Sequence, residues 1–147
     1  MRLVLDTNIV VAGLLWNGPP RRLLHLAVDS GVEFFSSPVL MEELAHTLRY
    51  AKFSGRIERF GTSAEALVTY YAGLVSLVTP AAVPRVVAND PDDDHVIAAA
   101  LAAQAALIVT GDRKHLLPIA SHEGIGIVSA VQALATLGLA PGGTGKT

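Results

Sequence analysis

The chain has no cysteine among its 147 residues, which excludes disulfides, thiolate zinc sites and thiol nucleophiles. Any chemistry must therefore use oxygen or nitrogen groups, and we expect a reducing, cytoplasmic location. Charge is also scarce: charged residues make up 16% of the chain and the net charge is −2. Bulk electrostatics therefore attract no nucleic acid, and binding of that kind would rely on local Lys and Arg side chains and bound cations.

Long hydrophobic runs are absent as well. The longest apolar stretch, residues 96–110, contains Gln104 and is shorter than the roughly 20 residues that a transmembrane helix needs. The start shows no signal-peptide pattern, because the short run after Arg2 ends at Asp6. We therefore expect no contact with a membrane. Apolar residues make up 51% of the chain, enough for one compact domain.

That domain is predicted to span residues 1–139, followed by a disordered tail over 140–147. The tail matches a permissive phosphate-loop pattern. A phosphate loop lies between a strand and a helix, however, and no helix-length sequence follows here, so the match carries no nucleotide site.

Short apolar runs alternate with helical patterns along the chain. Strands are predicted at residues 3–5, 32–35, 107–110 and 125–128. Helices are predicted after residue 20, over 39–50, from the acidic turn 89–94 to about 104, and over 129–137. The region 53–77 has a mostly helical pattern interrupted by glycines. Together these elements predict a three-layer α/β/α domain around a central parallel sheet.

Acidic residues lie where these elements predict the carboxyl edge of the sheet. Asp6 and Asp112 each follow an apolar strand, Glu43 lies on the helix after the second strand, and Asp94 begins the helix before the strand that ends at Asp112. Ligands of open α/β sheets bind at this edge. Each acid alone is equally typical of a turn or a helix cap.

Convergence of these acids favours a metal site, because close carboxylates repel one another unless a cation lies between them. Hard oxygen ligands select Mg²⁺ or Mn²⁺. Such ions activate water and neutralise charge on a phosphodiester during displacement. The residues therefore predict phosphodiester hydrolysis.

Four motifs, in this order and spacing, resemble those of PIN-domain nucleases. They are Leu3-Val4-Leu5-Asp6-Thr7-Asn8, Glu43-Leu44, Asp94-His95-Val96-Ile97-Ala98-Ala99-Ala100 and Ile108-Val109-Thr110-Gly111-Asp112. The resemblance covers roughly residues 1–139 and is closest to the VapC-like toxins of bacterial and archaeal toxin–antitoxin pairs. It implies a Mg²⁺- or Mn²⁺-dependent endoribonuclease that cuts tRNA or mRNA, is held inactive by a cognate antitoxin, and forms a homodimer.

The resemblance also assigns roles to residues. Asp6, Glu43, Asp94 and Asp112 would be the catalytic, metal-binding acids. Asn8 and Thr110 would support them through hydrogen bonds. Asp94 is chosen because it directly precedes the apolar, alanine-rich helix, although Asp92 or Asp93 remains an alternative for the same role.

Three further residues are candidates for substrate contact. His95 follows Asp94, and Arg113 and Lys114 follow Asp112 at a position where they could meet a phosphate backbone; ordinary solvated charge explains the two basic residues equally well.

Helical geometry separates Glu43 from Glu42. At about 100° per residue, an apolar arc faces the sheet; its members are Leu40, Met41, Leu44, Ala45 and Leu48. Glu43 projects from the near edge of that arc, whereas Glu42 projects toward water.

Two other functions remain open. An aspartate-dependent phosphotransfer enzyme also carries an aspartate after its first strand, but those with haloacid-dehalogenase chemistry place a second aspartate where this chain has Asn8. The other is a catalytically inactive PIN-fold module that binds RNA or protein.

Overall fold

A six-stranded sheet forms the centre of the computed structural model, which describes residues 1–28, 31–86 and 91–138. The strands are β1 (Arg2–Leu5), β2 (Glu33–Ser36), β3 (Val75–Leu77), β4 (Leu107–Val109), β5 (Ser121–His122) and β6 (Ile125–Val128). Their order is β3-β2-β1-β4-β6-β5. Every neighbouring pair is parallel except β5 and β6. The predicted parallel sheet is confirmed, with one antiparallel strand added at an edge.

Seven α-helices surround the sheet within the described ranges. They are α1 (Thr7–Leu15), α2 (Pro19–His25), α3 (Pro38–Leu48), α4 (Ala51–Arg59), α5 (Ala64–Ala72), α6 (Pro91–Ala103) and α7 (Ala130–Thr136). The predicted start of α3 is confirmed, because the Ser37 side chain accepts the Leu40 N–H and Pro38 follows at the first helical position. Ser129 caps α7 in the same way.

The strands alternate between two hydrophobic cores, as side chains on a pleated strand must. Leu3 and Leu5 of β1 pack with α1, α2 and α7 in one core. Val4, between them in the chain, packs with α6 in the other. The three-layer α/β/α arrangement follows directly from this alternation.

Helix α3 crosses from one layer to the other. Leu40 belongs to the α6 core, whereas Leu44 and Leu48, one and two turns later, belong to the α1 core. A helix that contributes to both faces of a sheet must pass over the end of that sheet. Glu43 lies between Leu40 and Leu44 and is carried to the sheet's edge by this crossing.

Helix α1 was not predicted from the sequence. It begins directly after β1, with the Asp6 carboxylate accepting the Thr7 N–H as its N-cap. Most of its side chains are buried, including Ile9, Val10 and Leu15. A helix buried on nearly all sides has no polar face, so the helical period that identifies surface helices is missing.

Gly13 shows how closely α1 packs on α2. A Cβ atom at this position would lie 2.7 Å from Leu24 Cδ1 and 3.0 Å from the Pro20 carbonyl oxygen. An alanine here would require the Leu24 side chain to move and the Pro20 carbonyl to shift by a few tenths of an ångström.

The expected tail over residues 140–147 lies outside the described residues. Among the helices that the structure describes, none is long and apolar enough to cross a bilayer.

Candidate active site

A cavity of about 450 Å³ opens at the carboxyl edge of the sheet. The carboxylates that line it belong to four separate parts of the fold: Asp6, Glu43, Asp93 and Asp112. Asp6 follows β1, Glu43 lies on α3, Asp93 lies in the first turn of α6, and Asp112 follows β4. Sequence positions more than a hundred residues apart thus meet at one edge.

Of the two cavity acids whose pKa is shifted, Asp6 and Asp112, Asp6 is the more deeply buried. Its Oδ1 accepts the Thr7 N–H at 2.8 Å and its Oδ2 accepts the Thr110 hydroxyl at 2.7 Å. Burial raises its pKa from 3.8 to about 6, and the charges of Glu43 and Asp112 add to the rise, while the two hydrogen bonds lower it. Negative charge is therefore costly here, as expected for a site that holds a cation.

Thr110 joins two of the acids. Its hydroxyl donates to Asp6, and the same oxygen accepts the Asp112 N–H at 3.0 Å. Thr110 is fully buried, so its bond to Asp6 is shielded from water, whereas its bond from the Asp112 N–H is partly buried. The family resemblance implies a supporting role for Thr110, which stays a prediction. Asn8 also lines the cavity, with an exposed side chain.

Asp112 is held in a tight turn. Its Oδ1 accepts the N–H groups of Lys114 and His115, both at 3.0 Å. Burial raises its pKa, but a hydrogen bond with the Asp93 side chain, these two N–H groups and the charge of His115 outweigh burial, so the pKa lies below its ordinary value. Asp112 and Asp6 thus have opposite shifts in pKa within one cavity.

The structure places Asp93, and not Asp94, at the cavity. Asp94 is 1% exposed; its Oδ1 accepts the Val86 N–H at 2.9 Å and its Oδ2 lies 3.8 Å from Arg85 Nε. It therefore anchors the segment before α6. The sequence-based choice of Asp94 is corrected to Asp93, because one residue changes the direction of a helical side chain by about 100°. The side chain of Asp92, the other alternative, lies outside the described side chains.

Helix α3 presents Glu43 to the cavity and Glu42 to water. Glu43 is half-buried and lines the cavity; Glu42 is exposed and does not line it. The apolar arc that predicted this difference is in place, with Leu40, Leu44 and Leu48 buried.

The side of the cavity formed by the α3–α4 corner was not predicted from the sequence. His46, Thr47, Tyr50, Lys52 and Phe53 all line it. A signal was available, because Glu43, His46, Thr47 and Tyr50 have the spacing i, i+3, i+4, i+7 that places residues on one helical face.

The corner is joined to the end of α1. The rings of Trp16 and Phe53 pack edge to face with centroids 6.0 Å apart. The Arg56 guanidinium lies 4.7 Å from the Trp16 ring centroid, and its Nε donates to the Leu15 carbonyl. Helix α4 is thus fixed against the helix that Asp6 caps.

The three candidate substrate contacts lie elsewhere. His95 lines a separate cavity of about 180 Å³ with Pro38, Val83 and other residues. Arg113 and Lys114 are exposed and are not among the residues that line the acidic cavity.

The donor set fits a divalent cation. Asp93, Asp112 and His115 place one ligand atom each within 4.8 Å of one another, and His115 Nδ1 lies 3.4 Å from Asp112 Oδ2. Carboxylate oxygens dominate, as Mg²⁺ and Mn²⁺ require, and one imidazole nitrogen is better tolerated by Mn²⁺ than by Mg²⁺. His115 was not singled out from the sequence.

Comparison with family models decides the family. The model described as PIN domain matches residues 2–114, most of the chain and all four cavity acids. The chain belongs to the PIN-domain family.

Solved structures support this PIN-domain fold. Six chains match. One belongs to the crystal structure of VapBC2 from Rickettsia felis bound to a DNA fragment from their promoter, with a TM-score of 0.57 and 16% sequence identity over 86% of this chain and 97% of that chain. At this identity the similarity concerns the fold. A search of curated proteins finds no match.

Proposed function

We propose that this PIN domain is an endoribonuclease that depends on Mg²⁺ or Mn²⁺. The observation that carries the proposal is the meeting of Asp6, Glu43, Asp93 and Asp112 around one open cavity. PIN domains are generally nucleases, and burial, with a smaller effect from the charges of Glu43 and Asp112, raises the pKa of Asp6, so negative charge there is costly unless a cation offsets it.

The four acids are the proposed metal-binding residues, with His115 beside Asp93 and Asp112 as a further donor. A bound divalent cation would lower the pKa of a water molecule and neutralise charge on the phosphodiester. Thr110 fixes the orientation of Asp6, and the Lys114 and His115 N–H groups fix that of Asp112. Such fixed ligands need no rearrangement during the reaction.

The proposed reaction is hydrolysis in which the attacking water lies opposite the leaving group, in line with the bond that breaks. A water oxygen forms a bond to phosphorus while the bond from phosphorus to the leaving ribose oxygen breaks. The water gives up a proton to solvent and the leaving oxygen gains one, so one phosphodiester becomes a phosphomonoester and a hydroxyl.

The direct test is to incubate the purified protein with total tRNA and Mn²⁺. Cleavage is expected, and it should disappear with a chelator and in Asp6→Asn. Glu42→Gln is the matched control, because Glu42 lies on the same helix outside the cavity, and it should retain activity. Equal cleavage by Asp6→Asn and by the wild type would refute the assignment.

We also propose that the protein is the toxin of a toxin–antitoxin pair. The fold is shared with a chain of the VapBC2 structure, and the sequence motifs resemble VapC-like toxins. The expected partners are an antitoxin and a second copy of the chain. Co-expression with the protein encoded beside it should give a stable complex without ribonuclease activity.

A further inference from the structure

The α3–α4 corner has a composition unlike the rest of the cavity. We use the name aromatic wall for four of its residues: His46, Tyr50, Lys52 and Phe53. The wall begins one helical turn after Glu43 and therefore borders the acids directly. It offers two exposed rings and a cation, whereas the other elements around the cavity offer mainly carboxylates.

The Tyr50 ring is exposed but fixed in position. The side chain is 43% exposed, and its ring packs edge to face on His46 with centroids 5.3 Å apart. The Tyr50 N–H donates to the Thr47 carbonyl and the Tyr50 carbonyl accepts the Phe53 N–H, both at 3.0 Å. A large ring held by such a corner and left open to a polar cavity offers a flat surface for stacking.

Lys52 supplies positive charge at the same place. Its Nζ lies 5.2 Å from the centroid of the Phe53 ring, and among the described residues that line the cavity it is the only lysine or arginine. A polyanion that approaches four carboxylates needs a compensating cation, which a lysine beside the cavity provides.

We propose that the aromatic wall binds an unpaired nucleotide of the RNA, with its base stacked on Tyr50 and its phosphate at Lys52. A flat ring recognises the face of a base, which is accessible in a single strand and covered in a duplex. Tyr50 and Lys52 are therefore the residues that hold this nucleotide beside the scissile bond. This inference rests on the proposed ribonuclease function, since it names the residues with which the same cavity holds its RNA.

The test measures binding separately from cleavage. Fluorescence anisotropy is recorded with a labelled single-stranded oligoribonucleotide and with the same sequence in a duplex, in Ca²⁺ in place of Mg²⁺, and gels check that the RNA is intact. Wild-type protein should bind the single strand more tightly than the duplex. Tyr50→Ala should weaken single-strand binding by about ten-fold, as loss of one base stack does, and Tyr50→Phe should retain it.

Two controls are matched to the wall. Tyr70→Ala removes another exposed tyrosine, 51% exposed, that does not line the acidic cavity, and it should leave binding unchanged. Lys52→Gln should reduce the slope of log affinity against log salt by about 0.7, the value for one phosphate contact in a single strand. Arg59→Gln, an exposed cation on α4 that does not line the cavity, should leave the slope as in the wild type.

The outcomes separate this inference from the proposed function. If the wild-type protein cleaves RNA but Tyr50→Ala binds it with wild-type affinity, the proposal for the aromatic wall is refuted and the proposed nuclease function stands. The same holds if the wild-type protein cleaves RNA and binds duplex and single strand equally. Single-strand binding that depends on Tyr50 and Lys52, without metal-dependent cleavage, supports the wall and overturns the nuclease. No binding of single-stranded RNA by the wild-type protein overturns the wall.

Discussion

Replacement of Asp6 by asparagine should stabilise the protein in metal-free buffer. Burial and the neighbouring acids raise the pKa of Asp6 from 3.8 to about 6, so the charged form costs about 3 kcal/mol in the fold at neutral pH. Asparagine caps a helix as well as aspartate does but has one oxygen for two donors, which costs about 1 kcal/mol. The net gain is about 2 kcal/mol, or a Tm increase of about 6 °C for a domain of this size.

The effect has a defined dependence on pH. Because the folded pKa of Asp6 is raised, the stability that protonated Asp6 contributes is fully present below pH 3.8 and is lost as the pH rises through about 6. The difference in Tm between Asp6→Asn and the wild type should therefore be smallest near pH 4 and largest above pH 7.

Differential scanning calorimetry with a chelator, repeated across this range, measures the difference. Glu58→Gln, an exposed change on α4, is the control and should stay within about 0.5 kcal/mol of the wild type. Addition of Mn²⁺ should reverse the order, because only the wild type retains the full ligand set. A Tm for Asp6→Asn that lies below the wild type by the same amount at every pH would refute the electrostatic account.

Three further predictions concern Glu43, Asp93 and Tyr71. Glu43→Gln should weaken Mn²⁺ binding ten-fold or more, on the order expected when a ligand or its support is lost, whereas Glu42→Gln should change it little; isothermal calorimetry that gives the reverse order would contradict the placement of α3. Asp93→Asn should likewise lose Mn²⁺ binding, whereas Asp94→Ala should mainly lower the stability, by about 1–3 kcal/mol, because it removes the acceptor for the Val86 N–H. The Tyr71 hydroxyl is buried and has no hydrogen-bond partner among the described residues, so Tyr71→Phe should leave the Tm unchanged or raise it, and a fall of several degrees would reveal a missing partner.

The sequence predicted the parts of the site that depend on strand ends. Asp6 and Asp112 follow short apolar runs, and parallel strands have one carboxyl edge, so their meeting required no knowledge of packing. Glu43 was placed correctly for a similar reason: α3 has a polar side, and its apolar arc fixes which carboxylate faces the edge.

The same reasoning failed at the third acid, because α6 has no such polar side. Residues 96–100 are all buried, so their pattern does not define which face of the helix meets the cavity. Because α6 has no defined polar face, the choice between Asp93 and Asp94 depends on how α6 is rotated about its axis. Long-range packing determines that rotation. The omission of α1, whose side chains are also mostly buried, has the same physical cause.

The strand order also determines when the site can exist during synthesis. β1 is made early but lies in the middle of the sheet, between β2 and β4. Its partner β4 is about a hundred residues later, and Asp112 follows that strand. A nascent chain that has not yet released β4 from the ribosome lacks one side of β1 and one of the four acids. Under the proposed ribonuclease function, a growing chain should therefore be unable to cleave the RNA around it until most of the domain has been translated.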